Sequence, residues 1–237
     1  MRVWTKKRKV QLAFFLSIFF TGLSIFTYYM YQQQRFNNVT KEKQQIALKV
    51  MKRKNDHQAL SVVNSAVSGK SSALHGNQEK VDYSGKEVKR LTLSQMNQVD
   101  AKKVTRSFGT GLLEIPSIGM NLPILEGVSQ ANLSVGAGTM KAGQELKKGN
   151  FSLAGHYMTD AGLLFGGIKR VNYGDSIKIM YRNNRAIYHV IETKRITKSD
   201  SYVTFDSQGE GLLTLVTCDQ AVNGTKYRFM VRAAIVD

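Results

Sequence analysis

The chain has one cysteine in 237 residues, half as many acidic as basic side chains, and no charged residue between Val10 and Gln34. Each shortage excludes something. A single cysteine, Cys218, cannot form an intramolecular disulfide. Outside a cell it is a free thiol or an intermolecular link. Taken together, His156 and Cys218 supply too few ligands for a structural zinc site. No Gly-x-x-x-x-Gly-Lys-Ser/Thr run is present, so a P-loop for nucleotide phosphates is excluded.

The acid shortage is uneven. Residues 1–104 carry 19 Lys/Arg against 6 Asp/Glu, whereas residues 105–237 carry 15 against 11. A basic first part and a nearly balanced second part point to a tail with its own task joined to an ordinary globular domain. The basic part suits polyanions. Membrane and envelope polyanions are the expected partners rather than nucleic acid, because the uncharged stretch is also strongly apolar.

Leu12–Tyr31 is rich in Phe, Leu and Ile. Twenty residues at about 1.5 Å per residue span roughly 30 Å, the thickness of a bilayer core. Arg2, Lys6, Lys7, Arg8 and Lys9 precede it, which places the N-terminus inside the cell and the rest outside. The competing reading is a cleaved signal peptide, whose apolar region is normally about 7–15 residues with a small-residue cleavage site. Here the run is longer and ends in Tyr-Tyr-Met-Tyr, so an uncleaved anchor is expected.

Four segments follow from this reading. Residues 1–9 form a cytoplasmic basic terminus, residues 10–31 a transmembrane anchor, and residues 32–79 a flexible basic stalk. Within the stalk Lys41–Met51 suits a helix and Ser61–Gly76 a spacer. Residues 80–237 form the main domain. It opens with a docking helix around Leu91, Leu93, Met96 and Val99, capped by Thr92 or Ser94.

From Gly109 onward short β-favouring runs dominate. Strands are expected at 112–116, 121–125, 150–156, 176–181, 185–196, 212–218 and 227–236, with a hairpin across Asn183-Asn184. Short helices suit Ser129–Ser134 and Leu163–Val171. Many short strands and little helix argue for a mostly β domain, a barrel or a sandwich.

Three residues draw attention for chemistry. Cys218 ends the run Leu-Leu-Thr-Leu-Val-Thr-Cys; a free Cys is commonly a small buried hydrophobe, and becomes a nucleophile only beside a proton partner. Of four histidines, His57 and His75 fall in the stalk and His189 in mid-strand. His156 follows Leu-Ala-Gly at a strand end, as Cys218 follows Leu-Val-Thr at another. Arg228 begins the next strand. It is either a surface cation or a donor aimed at the same rim. Arg232 shares its face, about 13 Å further along.

Leu153-Ala-Gly-His156, Thr214-Leu-Val-Thr-Cys218 and Arg228 together resemble the signature motifs of the sortases, the surface-protein transpeptidases of Gram-positive bacteria. Gly136-Ala-Gly-Thr-Met140 and Ile115-Pro-Ser-Ile-Gly119 are similar to that family too. The resemblance covers roughly Gly109 to the C-terminus. It implies an eight-stranded β-barrel with short helices, behind a transmembrane helix and basic stalk, and a catalytic Cys218, His156 and Arg228. Ala154, Val216 and Thr217 match positions lining the peptide groove. The implied partners are surface proteins with a C-terminal Leu-Pro-x-Thr-Gly sorting signal and a cell-wall precursor amine. The N-terminal anchor without a C-terminal one resembles class A. Some class A members bind calcium before the His motif; here Lys141, Lys147 and Lys148 accompany a lone Glu145, so no metal and no cofactor are expected. The contrasting possibility is a non-enzymatic anchored module that binds wall polymer or peptide with Cys218 packed and inert.

Overall fold

The computed structural model describes residues 6–68, 81–209, 211–222 and 224–236, with the side chains of 6, 9 and 58–68 excepted. The first element is a long helix, α1 (Lys6–Ser68). The chain divides within it into two units, Met1–Asn38 and Val39–Asp237.

Over residues 12–31 the helix carries no charge and has apolar side chains on every side. Phe15, Phe19, Ile25 and Phe26 are each at least 60% exposed. A helix with no polar face belongs in an apolar surrounding. α1 is long and apolar enough to cross a membrane, with a window of mean hydropathy 1.9.

The second unit corrects the expectation of a flexible stalk. Residues 32–68 continue α1 as helix, and from Val39 onward they belong with the barrel unit. The reason is a stripe the basic composition hides. Thr40, Ala47 and Met51 are buried at spacings of seven and four, and they share one helix face. Ala47 packs with Ala101, Leu125 and Val135. Lys54 Nζ donates to the Gly109 carbonyl at 2.8 Å. The remainder of the expected stalk, residues 69–79, lies outside the described residues, as does His75.

Two short helices lead into the barrel. α2 (Leu93–Gln98) starts at the expected Thr92 cap, which forms a capping box with Gln95. α3 (Ala101–Phe108), not expected from the sequence, is capped by Asp100. Eight strands follow: β1 (Gly109–Ile115), β2 (Met120–Leu125), β3 (Ala137–Thr139), β4 (Asn150–Gly155), β5 (Ser176–Tyr181), β6 (Asn184–Thr197), β7 (Leu212–Cys218) and β8 (Tyr227–Ile235). A four-residue helix, α4 (Gln130–Leu133), capped by Ser129, lies between β2 and β3. The helix expected at Leu163–Val171 is reduced to a 3-10 turn at Ile168–Arg170.

The strands close into a barrel in the order β1-β2-β3-β4-β7-β8-β6-β5. Closure leaves no exposed sheet edge. Leu113, Leu122, Ile124, Phe151, Leu153, Ile179, Tyr188, Leu213, Leu215 and Val231 fill the interior, each 2% exposed or less. The β5–β6 turn sits one residue earlier than expected. Tyr181 pairs with Asn184, and Arg182 and Asn183 take φ values of 46° and 70°. Two consecutive left-handed residues match the twist of a tight hairpin.

The docked part of α1 gives a direct test. Met51 is 1% exposed, and truncating a fully buried Met to Ala costs about 2–5 kcal/mol. Met51→Ala should lower the barrel's unfolding free energy by that amount, with a lower urea midpoint. An unchanged midpoint would mean residues 39–57 do not pack on it.

Candidate active site

Register builds the site. β4 and β7 run parallel, with Ala154 beside Val216 and Gly155 beside Thr217. The next residue on each strand is His156 and Cys218, so the imidazole and the thiol leave two neighbouring strands at the same level. β8 returns antiparallel on the other side of β7 and pairs Arg228 directly with Cys218. Neighbouring strands lie about 4.8 Å apart, and directly opposed residues project to the same face. Cys218 therefore sits on the strand between those that lead to His156 and carry Arg228.

The face they share is the outer one. Alternation places Val216, Ala154 and Met230 on the side of Cys218, and Leu153, Leu215 and Val231 on the core side. Val216 and Met230 join Ile196 and Val203 in an apolar cluster, with Met140 and Tyr202 against it. Val203 belongs to a 3-10 turn, Ser201–Thr204, that covers the lower part of this face. Asn150 Nδ2 and Ser152 Oγ both donate to its carbonyl, at 2.9 and 2.8 Å. The upper part, at Ala154 and Cys218, stays partly open.

Of the expected groove residues, Ala154 and Val216 lie on the same face as Cys218. Thr217 does not. It points across the sheet, is 3% exposed, and donates from Oγ1 to the Gly155 carbonyl at 2.7 Å. Its hydroxyl thus ties the end of β7 to the end of β4. Arg232 shares the face of Arg228 but pairs with Thr214, four residues back from the thiol. It faces Glu192 at 3.6 Å and the ring of Tyr202. His57 is exposed on α1, and His189 is exposed in β6.

His156 is 7% exposed, and its Nε2 is buried with no hydrogen-bond partner among the described residues. Burial alone pushes its pKa from 6.5 down to about 4, because a low-dielectric surrounding disfavours the charged ring. Cys218 is half-buried. Burial raises its pKa, and the Arg228 charge partly opposes the rise. Both shifts favour the neutral forms, a thiol and an uncharged imidazole. A neutral ring can accept the thiol proton. Arg228 is held by its own loop: Nη1 donates to the carbonyls of Thr225 and Tyr227 at 2.8 and 3.0 Å. It is a half-buried cation held in place by these bonds, suited to stabilising charge that develops on sulfur or on a carbonyl oxygen.

Residues the sequence reading missed hold this arrangement. The ring of Phe165 presses on Gly155 so closely that a Cβ there would fall 2.6 Å from it. Phe165 also donates its N–H to the His156 carbonyl at 3.0 Å. Gln44 Oε1, on the docked helix, accepts from the Leu164 N–H at 2.9 Å. Nothing local in the sequence signals these contacts. In the loop before β4, Glu145 is engaged by Lys148 at 2.6 Å, and Lys141 pairs with Asp206. Among the described residues no three His, Cys, Asp or Glu side chains gather as a metal site.

The buried ring makes stability depend on pH with a definite sign. Its folded pKa, about 4, is below the unfolded 6.5, so between those values the unfolded chain binds more protons. Stability then rises with pH through that window, by at most about 1.4 kcal/mol per pH unit. Comparing urea midpoints from pH 4 to 7 in wild type and His156→Gln should show a shallower slope in the variant. Equal slopes would mean that His156 is not buried neutral.

Residues 113–236 match the family model of the sortase domain. Sortase A of Listeria monocytogenes is 40% identical over 116 residues, which are 49% of this chain and 52% of that protein. The chain thus spans about half the length of that relative. Sortase A of Bacillus anthracis is 31% identical over 163 residues, 67% of this chain and 77% of that protein. Among solved structures, sortase A of Listeria monocytogenes aligns with a TM-score of 0.52 at 36% identity, over 54% of this chain and 88% of its own. Sortase C-1 of Actinomyces oris, 20% identical, has a TM-score of 0.51 over 68% of this chain and 91% of its own, and shares the fold.

Proposed function

The chain belongs to the sortase family of cysteine transpeptidases, and on that premise we propose that it cleaves a Leu-Pro-x-Thr-Gly-type sorting signal between Thr and Gly. The observation that supports this reading is the register in which the strand leading to His156 runs parallel to the strand ending at Cys218, while Arg228 pairs with Cys218.

In the proposed reaction His156 takes the proton of the Cys218 thiol as the sulfur attacks the Thr carbonyl. The oxyanion that forms is stabilised by the Arg228 guanidinium. Collapse breaks the Thr–Gly C–N bond. The imidazolium returns the proton to the departing Gly amine, leaving a thioester on Cys218. An amine of a cell-wall precursor then enters. His156 removes its proton, the amine attacks the thioester, and the proton ends on the regenerated thiol. A neutral imidazole at rest suits both steps, because it is a base when each nucleophile arrives.

The open part of the outer face would receive the peptide. Ala154 and Val216 offer an apolar floor beside the thiol, and Met230 and Ile196 extend it. Thr217 would act from beneath, through its bond to Gly155. The membrane helix would hold the enzyme at the surface where exported substrates emerge. The five basic residues before residue 10 favour the N-terminus inside and the barrel outside. No cofactor enters the scheme, because both half-reactions balance with the side chains named.

Cleavage of a Leu-Pro-x-Thr-Gly peptide with an amine acceptor tests the reading. Cys218→Ala should abolish turnover, and Arg228→Ala should cost about 10²–10³ in rate. A thiol probe should label the folded protein and lose its target in Cys218→Ser. Full turnover by Cys218→Ala would reject the assignment and leave a binding module.

A further inference from the structure

The three site residues share the outer face, and the residues that follow each of them in sequence meet on the other side of the sheet. Tyr157 follows His156, Asp219 follows Cys218 and Phe229 follows Arg228. One side chain touches all three. Lys169 Nζ lies 2.7 Å from Asp219 Oδ1 and 2.5 Å from the Asp219 carbonyl oxygen. It is 4.9 Å from the centre of the Tyr157 ring and 5.7 Å from that of Phe229.

A second cation completes the arrangement. Arg195 Nε bonds the other carboxylate oxygen of Asp219 at 3.0 Å. Its guanidinium lies 3.9 Å above the ring of Tyr227, the residue before Arg228. Asp219 is thereby held on both oxygens, with its side chain 12% exposed. Lys169 itself comes from the 3-10 turn at Ile168–Arg170, which ends the loop after His156.

We propose that Lys169 is a positioning residue for the reaction, fixing the ends of β4, β7 and β8 at one height so that His156 and Arg228 stay level with Cys218. This rests on the assignment of those three residues to catalysis. The strand ladders already align the strand bodies, but His156 and Asp219 lie just past the ends of β4 and β7. There single backbone bonds take over from the ladder, Phe165 N–H to the His156 carbonyl at 3.0 Å and Asp219 N–H to the Tyr227 carbonyl at 3.2 Å. A cation that contacts the residue after each of the three site residues adds a side-chain restraint common to them all. The aromatic faces of Tyr157 and Phe229 attract it as the carboxylate does. Lysine suits the place because a compact ammonium can serve one carboxylate, one carbonyl and two rings together.

The test compares Lys169→Met, Asp219→Asn and Lys169→Arg with wild type in peptide cleavage, with thermal unfolding recorded for each. Displacement of about 1 Å at a reacting group costs on the order of 10²-fold. Lys169→Met and Asp219→Asn should therefore lower kcat about 10- to 100-fold with KM within about twofold. Lys169→Arg, which keeps the charge but not the compact ammonium, should lose less than Lys169→Met. Both variants must be folded at the assay temperature. If Lys169→Met does not fold, Asp219→Asn decides by the same criterion. Wild-type kcat in the folded variants would overturn the proposal, as would loss of folding in both, since the contact would then serve stability alone. A wild type that does not cleave the peptide would instead overturn the assignment of the site.

Discussion

Everything in the site depends on one parallel pairing, that of β4 with β7. Parallel neighbours run in the same direction, so they deliver their last residues to the same end of the sheet. Gly155 beside Thr217 brings the next two residues, His156 and Cys218, to the same end of two neighbouring strands. A slip of one residue would send one of them to the far face. The register is fixed from both sides. Phe151 and Leu153 on β4, and Leu213 and Leu215 on β7, are fully buried in the barrel core. On the outer face Thr214 bonds Asn150, and at the end Thr217 bonds Gly155. Glycine is required at position 155 because the Phe165 ring occupies the place of a side chain.

Electrostatics follows from this placement. The ring and the thiol are both drawn out of water, and burial favours the neutral form of each. The resting pair thus stores no separated charge in a low-dielectric place, where charge is costly. Arg228 is the countervailing element. It is already paid for by two loop carbonyls, so it needs little rearrangement when negative charge develops beside it. In the proposed reaction, the cation that would stabilise the transition state is in position beforehand.

Much of this was legible in the sequence. Seven of the strands announce themselves by alternating or continuous β-branched and aromatic runs, and the ends of β4 and β7 fall where their apolar runs stop. β3 was missed because three residues show no period. α3 was missed because Lys102, Lys103 and Arg106 dominate a segment whose buried side chains are only Ala101 and Thr105. The docking of α1 was hidden in the same way. Its buried face uses Thr40 and Ala47, which hydropathy hardly registers. At the site, the motif residues were visible one by one, but not the bond by which Thr217, across the sheet from Cys218, ties β7 to Gly155. The contact of Lys169 with Asp219 joins residues fifty apart, and no local pattern encodes it.

The central claim is that three side chains act on one carbonyl. Mass spectrometry of the enzyme mixed with a Leu-Pro-x-Thr-Gly peptide, without an acceptor amine, tests it most directly. The account predicts a peptidyl thioester whose mass maps to Cys218 and whose formation is strongly slowed by His156→Ala and by Arg228→Ala. An adduct on another residue, or one that forms on Cys218 at an undiminished rate in either variant, would contradict it.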